Sequence, residues 1–71
     1  MPRLNEKRLY EIFSIAIEEE RKAQELSRTG AELAGEGTKL HAMFKRLEDE
    51  ERAHEEFLMD DYAVFKKTMG L

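Results

Sequence analysis

Three residues near the middle of this chain carry side chains suited to holding metal ions: Glu20, Glu51 and His54. Glu51 and His54 are spaced i, i+3, which on a helix puts them on one face, about 4.5 Å apart along the axis. Glu20 sits between Ala16 and Ala23, and the Glu51/His54 pair between Leu47 and Leu58, so each interrupts an otherwise apolar stripe. A carboxylate buried there loses its hydration and needs a compensating partner. If two chains met across these positions, four carboxylates and two imidazoles would gather. Two divalent cations would neutralise them, with each His neutral as a ligand. Mixed carboxylate and imidazole donors suit Fe, Mn or Zn, whereas Ca²⁺ and Mg²⁺ favour oxygen alone. The small neighbours Ala16, Ala23 and Ser27 leave room for ions and an oxygen species.

Two helices are needed to bring these residues together. Asn5 is a suitable N-cap, with Leu4 and Leu9 spaced as a hydrophobic staple. No firm breaker follows until Gly35-Glu36-Gly37-Thr38, where Thr38 can cap a second helix that Gly70 ends. The pattern predicts helices over about 6–34 and 39–68. Their apolar positions recur at alternating spacings of three and four, the mark of a packed helical seam. On the first helix the seam reads Leu9, Phe13, Ala16, Glu20, Ala23, Ser27, Gly30, Ala34; on the second, Leu40, Phe44, Leu47, Glu51, His54, Leu58, Asp61, Phe65. Ile12, Leu26 and Leu33 widen the first face, and Met43, Phe57 and Val64 the second. Phe13, Phe44, Phe57 and Phe65 are expected in the core, and Tyr10 and Tyr62 are assigned to packing. Two helices alone cannot bury faces this broad, but a dimer of hairpins forming a four-helix bundle can.

The turn sets the register. Counted from Glu36, Glu20 is 16 residues before, Glu51 is 15 after and His54 is 18 after. At about 1.5 Å per residue these lie about 24, 22 and 27 Å from the turn. An antiparallel hairpin therefore brings Glu20 level with Glu51 and His54.

Composition agrees with this architecture and excludes several others. The 71 residues are 41% apolar and 39% charged, with one Pro, four Gly and no Cys. That mixture favours long amphipathic helices, all-α, in one domain spanning 1–71. A core this small seldom supplies more than about 3–5 kcal/mol, and natural proteins of the size add disulfides, a metal or a partner chain. Without Cys, the metal and the partner remain. The net charge of −4 and the lack of a basic block argue against nucleic acid. No apolar run reaches the ~18–20 residues of a membrane span, and the N-terminus has no signal-peptide core, so a cytoplasmic protein is expected.

Other ionisable residues have simpler roles to fill. Glu18/Lys22 and Glu48/Arg52 are spaced as helix-supporting i, i+4 pairs on solvated faces. Glu19 and Glu50 flank the seam at the level of the metal residues, as additional ligands or an entry path for the metal, or else as exposed ion-paired groups. Asp61 is about 10 Å along the helix from His54, too far to touch it, and is expected to pair across an interface or at the bundle end. His41, beside Glu48, is expected at the surface, and Ile15 on the outer face.

At these residues the sequence resembles the ferritin-like di-iron carboxylate superfamily, in which a Glu from each of two helices meets a Glu-x-x-His pair from each of two others. The segment Ala16-Ile-Glu-Glu-Glu-Arg-Lys-Ala23 is similar to the first-helix Glu-x-x-Ala motif of rubrerythrin-like proteins, with Glu20 as the iron ligand. Phe44-Lys-Arg-Leu-Glu-Asp-Glu-Glu-Arg-Ala-His54 is similar to their second-helix motif, with Glu51 and His54 as ligands. The chain holds half of such a site, and Ser27 stands where many relatives place a Tyr. The half-size hairpin resembles the encapsulated ferritins, although their shell-targeting tail is not seen after Leu71: either an encapsulin shell as partner is unsupported, or the tail lies outside this sequence. The resemblance implies a homodimer or larger homo-oligomer holding two iron ions between subunits, with Mn or Zn as other occupants. It implies an oxidoreductase using Glu20, Glu51 and His54 to oxidise Fe²⁺ with O₂ or peroxide. A rubrerythrin-like peroxide reductase would use the same ligands, and a non-catalytic helical bundle with structural metal is the reading from another class.

Overall fold

The computed structural model describes residues 4–70, which form an antiparallel hairpin of two helices, α1 (Leu4–Ala34) and α2 (Lys39–Thr68), 54 Å long. The described residues contain no strand. Both helices are rich in residues that lose little side-chain freedom in a helix, and Pro is absent from them. Because α1 already includes Leu4, Asn5 lies inside it and is not its N-cap. The side chain of Leu4 falls outside the described part, and with it the expected staple to Leu9.

Three of the four connecting residues have distinct tasks. Gly35 and Gly37 adopt φ of +82° and +85°, a left-handed conformation that a side chain would strain. The Gly35 N–H donates to the Ala31 carbonyl at 3.2 Å, closing the end of α1. Thr38 is extended, and its hydroxyl oxygen accepts the His41 N–H at 3.0 Å, capping α2 as expected. His41 is not at the surface: it is half-buried, with Nδ1 2.8 Å from the Ala31 carbonyl. A carbonyl only accepts, so Nδ1 carries the proton. α1 has no basic residue in its last turn, and His41 supplies that donor from the neighbouring helix. At the other end Lys66 and Lys67 complement the α2 dipole, and Gly70, at φ +73°, closes the helix.

The inter-helix seam differs from the sequence expectation at every second position. On α1 it runs through Tyr10, Phe13, Ile17, Glu20, Gln24, Ser27, Ala31 and Ala34; on α2 through His41, Phe44, Glu48, Glu51, Glu55, Leu58, Tyr62 and Phe65. Near the open end, Tyr10, Phe13, Tyr62 and Phe65 form an aromatic cluster with centroids 5.3–5.5 Å apart. Near the turn, Gly30 lets the helices approach closely, since a Cβ there would lie 2.7 Å from the Phe44 ring.

This rotation divides the hairpin into two unlike sides. One is charged, with Arg21, Arg28 and Lys45 reaching across or along the seam. The other is apolar and uncovered: Leu9, Ile12, Leu26 and Leu33 from α1, and Leu40, Met43, Leu47, Phe57 and Val64 from α2, are all exposed. Phe57, expected in the core, is 69% exposed in the single chain. Ile15 is exposed as expected, and no helix of the described residues is long and apolar enough to cross a membrane.

Candidate metal centre

The register read from the turn holds in three dimensions. His54 Nδ1, on α2, stands 3.6 Å from Glu20 Oε1 on α1. That is too long for an N–H···O hydrogen bond. Imidazole and carboxylate are both side-chain types that ligate metal ions. The Glu20 side chain is three-quarters buried, whereas His54 is 60% exposed and opens toward the apolar side. Glu51, one helical turn before His54, is half-buried, and its Oε1 accepts a hydrogen bond from Ser27 Oγ at 2.7 Å.

Glu20 and His54 are therefore adjacent, and Glu51 is level with them but turned to Ser27. Among the described residues, no three His, Asp or Glu side chains of one chain converge closely enough to hold a metal ion. Each chain thus brings two carboxylates and one imidazole to the same level of the hairpin. Small Ala16 and Ala23 flank Glu20 on α1, so the space around it is not filled from its own helix.

The remaining acidic candidates are separate from this cluster. Glu19 is exposed, 3.8 Å from Lys22, which reaches it instead of Glu18. Glu50 is exposed and 3.8 Å from Arg46. Both are ion-paired along their own helix. Asp61 is exposed, beyond His54 toward the open end.

Two carboxylates of the seam were not anticipated. Glu48 is 2% exposed, not solvated, and accepts from Arg28 Nε at 2.8 Å and Lys45 Nζ at 3.1 Å, with Arg52 at 3.8 Å. Glu55 accepts from Arg21 Nε and Gln24 Nε2, each at 2.7 Å. The hydrogen bonds from Arg28 and Lys45 hold the Glu48 carboxyl below its ordinary value, and those from Arg21 and Gln24 do the same for Glu55. The available signal was a shared spacing: Arg21 and Arg28 are one heptad apart on α1, as are Glu48 and Glu55 on α2. Long acidic runs usually face water, and this spacing alone does not separate a buried ion pair from surface charge.

The electrostatic outcome is a sorted seam. Glu48 and Glu55 are neutralised by cations on the charged side, while Glu20 meets the imidazole of His54 and Glu51 the hydroxyl of Ser27. Every buried side-chain polar atom of the described residues has a hydrogen-bond partner. No protein-family model matches this chain, and no curated protein or solved structure matches it at a significant level.

Proposed function

We propose that two copies of the hairpin pack through their apolar sides into a four-helix bundle, and that Glu20, Glu51 and His54 of each hold two iron ions between them. In this reading the protein is an oxidoreductase acting on Fe²⁺ as substrate. The observation that carries it is the Glu20–His54 approach at 3.6 Å, level with Glu51 and bordering the uncovered apolar side. The fit rests on donor chemistry: carboxylate and imidazole together suit iron, and two carboxylates per chain match one divalent cation per chain.

The residues divide the work. Glu20 and Glu51 supply the negative charge that draws in Fe²⁺ and favours Fe³⁺ over it. His54 adds a neutral nitrogen donor on the rim, where a second chain would cover it. Leu47, Phe57 and their counterparts would exclude bulk water once the sides meet. Each of two Fe²⁺ gives up one electron, which together with two protons reduces O₂ to hydrogen peroxide or hydrogen peroxide to water.

Anaerobic Fe²⁺ titration with sizing of the metal-free and loaded protein tests this reading. The expected result is one iron per chain, an oxo-ferric absorption band on exposure to air, and loss of both in Glu51→Ala. Metal-free protein that is fully assembled and binds no Fe²⁺ at micromolar levels would overturn it. Relative oxidation rates with O₂ and with peroxide then assign the oxidant.

A further inference from the structure

Three carboxylates of α2 enter the seam in succession, Glu48, Glu51 and Glu55, and their partners differ in kind. The outer two are met by guanidinium groups, Arg28 and Arg21. Among the described residues the middle one is met only by a neutral hydroxyl, that of Ser27 at 2.7 Å. A guanidinium would cancel the charge of Glu51. A hydroxyl fixes the carboxylate and leaves that charge in place.

Ser27 is itself an unusual residue for its position. It is 5% exposed in the interior of α1, where Ala would be the better helix former. Buried Ser in a helix commonly gives its single proton to the carbonyl one turn back along its own helix. Here that proton crosses to the other helix and goes to Glu51 Oε1. Among the described residues no side chain donates to the second carboxylate oxygen.

From this we infer that Ser27 is a positioning residue for the metal centre: it holds Glu51 by one oxygen, without neutralising it, so that the other oxygen and the full charge are presented to the ion. The inference rests on the di-metal reading above and adds a residue to it. Groups that orient metal ligands in this way typically contribute 10- to 100-fold to metal affinity.

The test is anaerobic Co²⁺ titration of the full chain, followed by its visible ligand-field bands, with helicity monitored by circular dichroism. Ser27→Ala should retain its helicity, bind Co²⁺ about 10- to 100-fold more weakly and show altered bands. Ser27→Thr, which restores the hydroxyl, should recover both affinity and spectrum. Ser27→Ala with the affinity and bands of the unaltered protein would overturn the positioning role and leave the di-metal reading standing. A Thr variant as weak as the Ala variant would also overturn it. Unaltered protein that binds neither Co²⁺ nor Fe²⁺ would overturn both.

Discussion

Glu48 shows how one side chain can fix the rotation of a whole helix. It is the most buried large residue of the hairpin, yet it is charged, because Arg28 and Lys45 both donate to it. Its removal would leave two cations facing a gap, whereas Glu50 and Glu56 are exposed and have little to lose. Glu48→Ala should therefore lower the thermal midpoint by several degrees, and Glu50→Ala or Glu56→Ala by far less. Melting of the three variants side by side checks this, and equal midpoints would count against the ion-paired seam. The same contacts set a pH dependence. Glu48 and Glu55 titrate below their ordinary value of 4.5 in the folded chain, so the unfolded chain binds protons more readily. Their contribution is complete above that value and is lost as pH falls through it toward the lowered folded-state value. Melts run from neutral pH to about pH 3 should show stability declining on acidification, with a shallower decline in Glu48→Gln.

The helices themselves depend on a few positions where backbone and packing compete. Thr38 is the N-cap of α2, and its hydroxyl also donates to the Gly35 carbonyl at 2.9 Å, so it links both helix ends. Thr38→Ala should cost about 1 kcal/mol of unfolding free energy, measured by urea titration. Gly30→Ala poses the opposite contest. Helix propensity favours Ala by about 1 kcal/mol. The new Cβ, however, would meet three atoms of the Phe44 ring at 2.7–2.8 Å, and overpacking of this kind costs about 1–3 kcal/mol. Packing should win, leaving Gly30→Ala less stable by about 1 kcal/mol, and a more stable variant would show that Phe44 moves aside freely. Much of this scale was legible from the residues. The Gly35–Thr38 turn, both helix ends near it and the level of Glu20 against His54 follow from punctuation and a rise per residue. The rotation of the seam did not, for a physical reason. A broad apolar stripe identifies a face that must be covered but not which edge the sister helix takes. Here the sister takes the polar edge, where Glu48, Glu55 and His41 find donors or acceptors, and leaves Leu40, Leu47, His54 and Asp61 on the open one. Apolar periodicity alone ranks those two edges the wrong way round.

At the scale of the whole molecule, a single hairpin is short of core. Ile17 and Ala31 are the only buried apolar residues among those described, while nine large apolar side chains of one side stay in water. Apolar burial supplies about 25 cal/mol per Å², so a chain built this way gains most of its stability where that side is covered. In the proposed reading a second copy covers that side and completes the metal site, and the two requirements can be measured as one coupled equilibrium. If Fe²⁺ or Co²⁺ binds only where two chains meet, free metal at 100 times its dissociation constant stabilises the associated form by about 2.7 kcal/mol per site. Metal should then raise both the association constant and the thermal midpoint, and a chelator should reverse both. Val64→Glu places a charge in the uncovered side about 15 Å along α2 from His54, away from Glu20, Glu51 and Ser27. It should shift the chain to monomer in sedimentation equilibrium and weaken Co²⁺ binding in parallel. His54→Ala should leave metal-free association unchanged and abolish its response to metal. A Val64→Glu monomer that binds Co²⁺ as tightly as the unaltered protein would mean that one hairpin suffices, and the shared site would have to be abandoned even if the metal were real.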